Sequence, residues 1–133
     1  MFEVGMEHIE KFVVDEASTA KALGSGGLEV FATPAMIALM EKTCKVLADS
    51  KLEEGKGTVG ISISTSHKAA TPVGMEVRCE CTIIEVDRNK ITFAVKCYDE
   101  VEEIGEGIHE RFVIDNEKFL SKVNKKINEF KER

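Results

Sequence analysis

Ten residues from Phe31 to Met40 carry no charge, and the pattern that runs through them is helical. Thr33-Pro34 is a start signal. Threonine is a good N-cap, and proline is favoured at the first helical position, where its missing N–H costs nothing. Met36, Leu39, Met40, Thr43, Cys44 and Leu47 then recur at helical spacing. The helix is expected to run to about Lys51, with Gly55 and Gly57 beyond its end. Between Ala35 and Met40 it is apolar around most of its circumference, and such a helix must be buried on several sides. At 133 residues the chain has room for one compact domain, not two, so a single layer of structure has to wrap that helix.

The rest of the chain supplies strands. Glu3 to Asp15 alternates loosely and reads as a first strand. Ser18 to Leu23 reads as a short helical turn, closed by Gly24-Ser25-Gly26-Gly27. That cluster is a flexible loop and not a phosphate cradle, because neither GK[ST] nor GxGxxG is present. After the long helix come four strand-like segments with no helix between them: Thr58–Lys68, Met75–Val86, Ile91–Tyr98 and Ile104–Ile114. Asp87-Arg88-Asn89-Lys90 is a polar turn that marks a hairpin. Asp115 is placed to cap a terminal helix carrying Phe119, Leu120, Val123, Ile127 and Phe130. The expected fold is α+β: one domain over residues 1–133, a curved antiparallel sheet wrapped around a central helix, with a C-terminal surface helix. A doubly wound parallel sheet is excluded, since its strands would need intervening helices.

Composition removes several function classes. Eighteen basic against 24 acidic residues give a net charge of −6, which argues against a general nucleic-acid binder but leaves room for a local basic pocket. The N-terminus has no signal-peptide pattern, and no stretch approaches the ~20 apolar residues needed to cross a bilayer. A cytoplasmic protein without membrane partners is expected. Cys44, Cys79, Cys81 and Cys97 form no CxxC pair, and read as reduced, buried small apolar residues with no metal site.

Three residues stand out chemically. Glu41 follows the uncharged run at the edge of the apolar sector, where partial desolvation would suit a carboxylate to acid–base or nucleophilic work. The plain alternative is an ion pair with Lys45 one turn on. Thr33 is either an N-cap or a ligand donor at a helix N-terminus, where developing negative charge is stabilised. His67 shares a parity with Val59, Ile61, Ile63 and Thr65, so it should face inward, as a core or rim histidine or as the partner of a nucleophile. On the last strand His109 and Arg111 share a parity with Gly105 and Gly107, opposite Ile108, Phe112 and Ile114. That alternation reads as solvent-facing, or as reaching for a phosphate of a bound ligand. His8 joins no constellation.

Taken together these residues resemble the fluoroacetyl-CoA thioesterase-like group of hotdog-fold enzymes. Phe31-Ala32-Thr33-Pro34 is followed by Glu41 eight residues after Thr33, and His67 falls 26 residues after Glu41. Gly60, seven residues before His67, matches that group's substrate-site glycine. His67–Gly74 and Gly105–Arg111 look like its strand signatures, and the likeness runs from roughly Thr19 to Asp115. The resemblance implies hydrolysis of a short- or medium-chain acyl-CoA to the acid and free CoA, with no cofactor beyond the CoA of the substrate. It implies a homodimer, or a dimer of dimers, with sites at the dimer interface. Thr33, Glu41 and His67 would be catalytic, while Gly60, Pro34, His109 and Arg111 would contact substrate. The stretch Leu23–Val30 lacks the aromatic lid of the fluoroacetyl-specific member, so that selectivity is not expected here. Competing readings are a non-catalytic acyl-CoA-binding module and a hydratase. The hydratase is disfavoured because the central helix has no histidine.

Overall fold

The computed structural model describes residues 1–133. In chain order the elements are β1 (Glu7–Val13), α1 (Ala20–Leu23), α2 (Thr33–Asp49), β2 (Lys56–His67), β3 (Glu76–Asp87), β4 (Lys90–Tyr98), β5 (Glu103–Asp115) and α3 (Asn116–Lys131). The strands form one antiparallel sheet in the order β1-β3-β4-β5-β2. β1 and β2 are thus opposite edges, and the segment joining them must cross the whole sheet. α2 is that crossing, and it touches all five strands.

The burial follows the sequence pattern closely. Met36, Leu39, Met40, Thr43, Cys44 and Leu47 are buried, joined by Ala48. The sheet meets them with Val77, Cys79, Cys81 and Ile83 of β3 and Ile91, Phe93, Val95 and Cys97 of β4, all fully enclosed. The four cysteines are free and buried, with Cys79 directly opposite Cys97. A neighbouring thiol and burial together push Cys44 and Cys97 far up, so these sulfurs stay protonated packing groups.

Three details differ from the sequence reading. The first strand begins at Glu7, because the chain turns at Gly5, whose φ is +98°. More consequentially, β2 carries a bulge against β5: Gly60 pairs with Arg111 and Ser62 with Glu110, leaving Ile61 unpaired. Ile61 is 51% exposed. One inserted residue reverses the alternation, so Ile63, Thr65 and His67 face α2 after the bulge, whereas Thr58 and Gly60 do so before it. Val59 and Ile61 therefore do not share the inward row with His67.

The third correction concerns β5. His109 and Arg111 are 1% and 5% exposed, while Ile108 and Phe112 on the other face are 43% and 40% exposed. The solvent-facing reading of His109 and Arg111 is wrong, and the glycines explain why. A Cβ at Gly105 would sit 2.6 Å from the Met36 sulfur, and one at Gly107 would run into the Ser64 carbonyl. The row Gly105, Gly107, His109, Arg111 is the face pressed toward α2 and β2. At the C-terminus, Asp115 caps α3 by accepting the Lys118 N–H. None of the apolar residues of α3 is buried by its own chain.

Gly107→Ala should lower stability by about 1–3 kcal/mol through overpacking between β2 and β5. Urea unfolding measures it, and an unchanged midpoint would contradict the close approach.

Candidate active site

The start of α2 is pinned from three sides. Phe31 is buried and stacks on Phe12 with ring centroids 5.8 Å apart. The Phe31 N–H donates to the Thr71 carbonyl at 2.8 Å, and the Ala32 N–H to the Ser18 carbonyl at 2.9 Å. The N-cap is Ala32, with no side-chain cap bond; Thr33 is the first helical residue and Pro34 the second. The expectation that Thr33 is the cap and Pro34 the first helical residue is therefore corrected. The Thr33 hydroxyl has another partner: it lies 2.7 Å from Nδ1 of His67, the last residue of β2.

Burial lowers the pKa of His67 below 6.5, so the ring is neutral at neutral pH. A neutral imidazole nitrogen against an alcohol is the arrangement of a base on its nucleophile. Nε2 of the same ring is sealed from solvent without a hydrogen-bond partner. Beside this pair opens a cavity of about 280 Å³. Thr33 and His67 line it together with Val30, Phe31, Ala69 and Ala70, and Ser25 brings the glycine-rich loop to its rim.

Glu41 heads a second group. Lys45 is not its partner, because that ammonium sits 2.6 Å from Asp49. Glu41 instead leans toward Gly60, where a Cβ would lie 3.1 Å from Oε2 of Glu41, 3.1 Å from Cε1 of His109 and 3.4 Å from Nη1 of Arg111. Arg111 donates from Nε to the Thr58 hydroxyl at 2.7 Å and from Nη2 to the Thr58 carbonyl at 3.1 Å. Its Nη1 is 3.0 Å from Nε2 of His109. A guanidinium only donates, so this Nε2 accepts, and the proton resides on Nδ1, which donates to the Ser62 carbonyl at 2.8 Å. Both contacts require the same neutral tautomer. Burial, reinforced by the Arg111 charge, lowers the His109 pKa accordingly.

The structure thus brings Thr33 to His67, and Glu41 to Gly60, His109 and Arg111. It does not bring the two groups into contact within one chain. Eight residues of α2 separate Thr33 from Glu41, a rise of about 12 Å. The sequence reading missed Thr58 and Ser62, which anchor Arg111 and His109. Gly105 and Gly107 on the shared parity were the available signal, since glycines mark close backbone approach. Pro34 is exposed beside Thr33. His8 pairs with Glu10 at 2.6 Å on β1, the opposite edge. No three His, Cys, Asp or Glu residues converge as a metal cluster would, and no helix is long and apolar enough to cross a membrane.

Comparison with known proteins points one way. Residues 14–117 match the family model described as fluoroacetyl-CoA-specific thioesterase. The fluoroacetyl-CoA thioesterase of Streptantibioticus cattleyicolor is 43% identical over 98 residues, covering 74% of this chain and 70% of that protein. A crystal structure of a mutant of the fluoroacetyl-CoA-specific thioesterase FlK superposes with a TM-score of 0.89 at 37% identity, over 95% of this chain and 98% of that one. A thioesterase superfamily member from Thermus thermophilus reaches a TM-score of 0.92 at 24% identity over 98% and 97% of the two chains, a likeness of fold alone. The fold is the hotdog.

His67 and His109 refuse protons that the unfolded chain accepts. Stability should accordingly be full above about pH 6.5 and decline as pH falls below it. Urea midpoints between pH 8 and 5.5 test this, and His109→Gln should flatten the slope. A flat wild-type profile would contradict it.

Proposed function

The chain belongs to the fluoroacetyl-CoA-specific thioesterase family and is an acyl-CoA thioesterase; on that premise we propose that it hydrolyses a short- or medium-chain acyl-CoA at a site built from two copies of the chain. Thr33 contacts the reacting thioester at the positive end of α2. Glu41 acts as base or nucleophile. His67 orients the threonine, takes up the proton released when the thioester is attacked, and returns it to the departing CoA thiolate. Gly60, with His109 and Arg111 behind it, and Pro34 beside Thr33 form the surfaces on which the thioester lies. No cofactor beyond the substrate's own CoA is needed.

The observation that carries this reading is the 2.7 Å contact between Thr33 and a neutral His67, at a helix N-terminus and beside a cavity. A helix N-terminus stabilises the oxyanion that forms when a thioester is attacked. The partly apolar wall of Val30, Ala69 and Ala70 suits an acyl chain. A threonine mutant of FlK has been solved in complex with acetyl-CoA, which supports a small acyl group. The loop Leu23–Val30 has no aromatic residue to narrow the pocket, which supports acyl groups larger than fluoroacetyl as well.

Dimerisation is the economical way to unite the two groups. β2 is an edge strand with unpaired backbone along one side. Gly60 and His67 lie seven residues apart on it. Two such edges paired antiparallel about a twofold between Ile63 and Ser64 would set Gly60 and Glu41 of one chain beside His67 and Thr33 of the other. Each dimer would then hold two equivalent sites.

Glu41→Gln, Thr33→Ala and His67→Ala should each lower kcat/KM by about 100-fold or more. Thiol release from a panel of acyl-CoAs measures it, and full turnover by Glu41→Gln would sink the scheme. Mixing Thr33→Ala with Glu41→Gln protein should restore about a quarter of wild-type activity, because half the dimers would carry one intact site. Mixtures as inactive as their components would place all three residues in one chain.

A further inference from the structure

Arg111 is a cation in an unusual position. It is 5% exposed, enclosed between β5, β2 and α2, and no carboxylate lies within ion-pair distance of it. Three of its five N–H groups are committed, two to Thr58 and one to His109. A buried charge without compensation is costly, so something must repay its desolvation.

The charged groups around Glu41 and Arg111 narrow the answer. On α2, Lys45 is taken by Asp49 and Lys42 reaches Glu10 at 3.9 Å. From β2 come only the neutral Thr58 and Gly60. From β5 come Arg111 and the neutral His109, while Glu110 points to the other face and pairs with Lys90 at 3.4 Å. With Cys44 protonated, the negative charges that act on Arg111 are Glu41 and Asp49, and Asp49 is already paired with Lys45. Glu41 and Arg111 are each left with the other. Oε2 of Glu41 and Nη1 of Arg111 lie 3.1 and 3.4 Å from one point above Gly60, so they are at most 6.5 Å apart, and the gap between them exists because Gly60 has no side chain. They are also more than 4.0 Å apart, since they form no ion pair, and a separation in that range can be bridged by a single oxygen that accepts from Arg111 and donates to Glu41.

We propose that Arg111 is a positioning residue for Glu41: its guanidinium, fixed by Thr58 and the neutral His109, draws the carboxylate over the Gly60 notch and holds it turned into the site. This rests on the reading above that Glu41 takes part in thioester hydrolysis. It assigns Arg111 no contact with the phosphates of CoA, from which burial behind Gly60 separates it. His109 serves the same end, since its Nε2 lone pair keeps the guanidinium plane from rotating away.

Arg111→Met, Arg111→Lys and Thr58→Val, each alone and combined with Glu41→Gln, test the assignment by acetyl-CoA hydrolysis. Arg111→Met should lower kcat about 30-fold with KM within about threefold, and Arg111→Lys should recover part of the loss. In the Glu41→Gln background, Arg111→Met should change the residual rate by less than about threefold, because a residue acting through Glu41 has nothing left to position. A KM raised about tenfold at unchanged kcat would make Arg111 a CoA ligand and overturn the proposal. So would losses that multiply. If Arg111→Met fails to fold, Thr58→Val carries the test: about a three- to tenfold fall in kcat, absent in the Glu41→Gln background, supports the proposal, and unchanged kcat overturns it. Full activity of Glu41→Gln itself would defeat the functional reading, whereas full activity of Arg111→Met beside an inactive Glu41→Gln would defeat this inference alone.

Discussion

The burial of α2 is the constraint on which the rest of the molecule depends. Its two flanking strands are the two edges of the sheet, so the helix has to cross every strand on the way between them. The crossing fixes which face of each strand is the core face, and with it the alternation of β3 and β4. It also decides where polar chemistry can sit. The middle of the helix is closed by Met40, Thr43 and Cys44 against the cysteine and phenylalanine rows. The N-terminus at Thr33 and the flank at Glu41 are the places along it where functional groups reach half-open space.

At those two places the sheet gives way in different manners. Near Thr33 it simply ends: β2 finishes at His67, and the following Ala69 and Ala70 are too small to close the cavity. Near Glu41 the sheet thins from within, through a glycine on β2 and a histidine–arginine pair on β5 that replaces apolar packing with a satisfied hydrogen-bond chain. The polar cluster is tolerated because each contact agrees with the next on donor and acceptor. A charged guanidinium next to a protonated imidazole would be repelled; next to a neutral ring it gains an acceptor.

Most of the fold was legible because it rests on periodicities. The buried row of α2, the inward rows of β3 and β4, the hairpin at Asp87–Lys90 and the cap at Asp115 all follow from local spacing and residue type. The candidate site could be named only through resemblance, since Thr33, Glu41 and His67 each admit an ordinary structural role. What escaped the pattern was non-local. The identity of the cap depended on a hydrogen bond from Thr33 to a residue 34 positions away. The inward turn of His109 and Arg111 depended on glycines whose neighbours lie on another strand and on α2. Exposed Ile108 and Phe112 invert the usual rule that the apolar parity is the buried one.

The bulge at Ile61 has a consequence of another kind. A strand has two frames, as a coding sequence has three, and a single inserted residue shifts everything downstream into the other. β2 uses both frames: one presents Thr58 and Gly60 to the arginine, the other presents Ile63, Thr65 and His67 to the start of the helix. Its two halves can therefore be altered almost independently by substitution, yet not by changes of length. Loss of one residue at this point would leave every side chain in place in the sequence and turn half of the strand inside out.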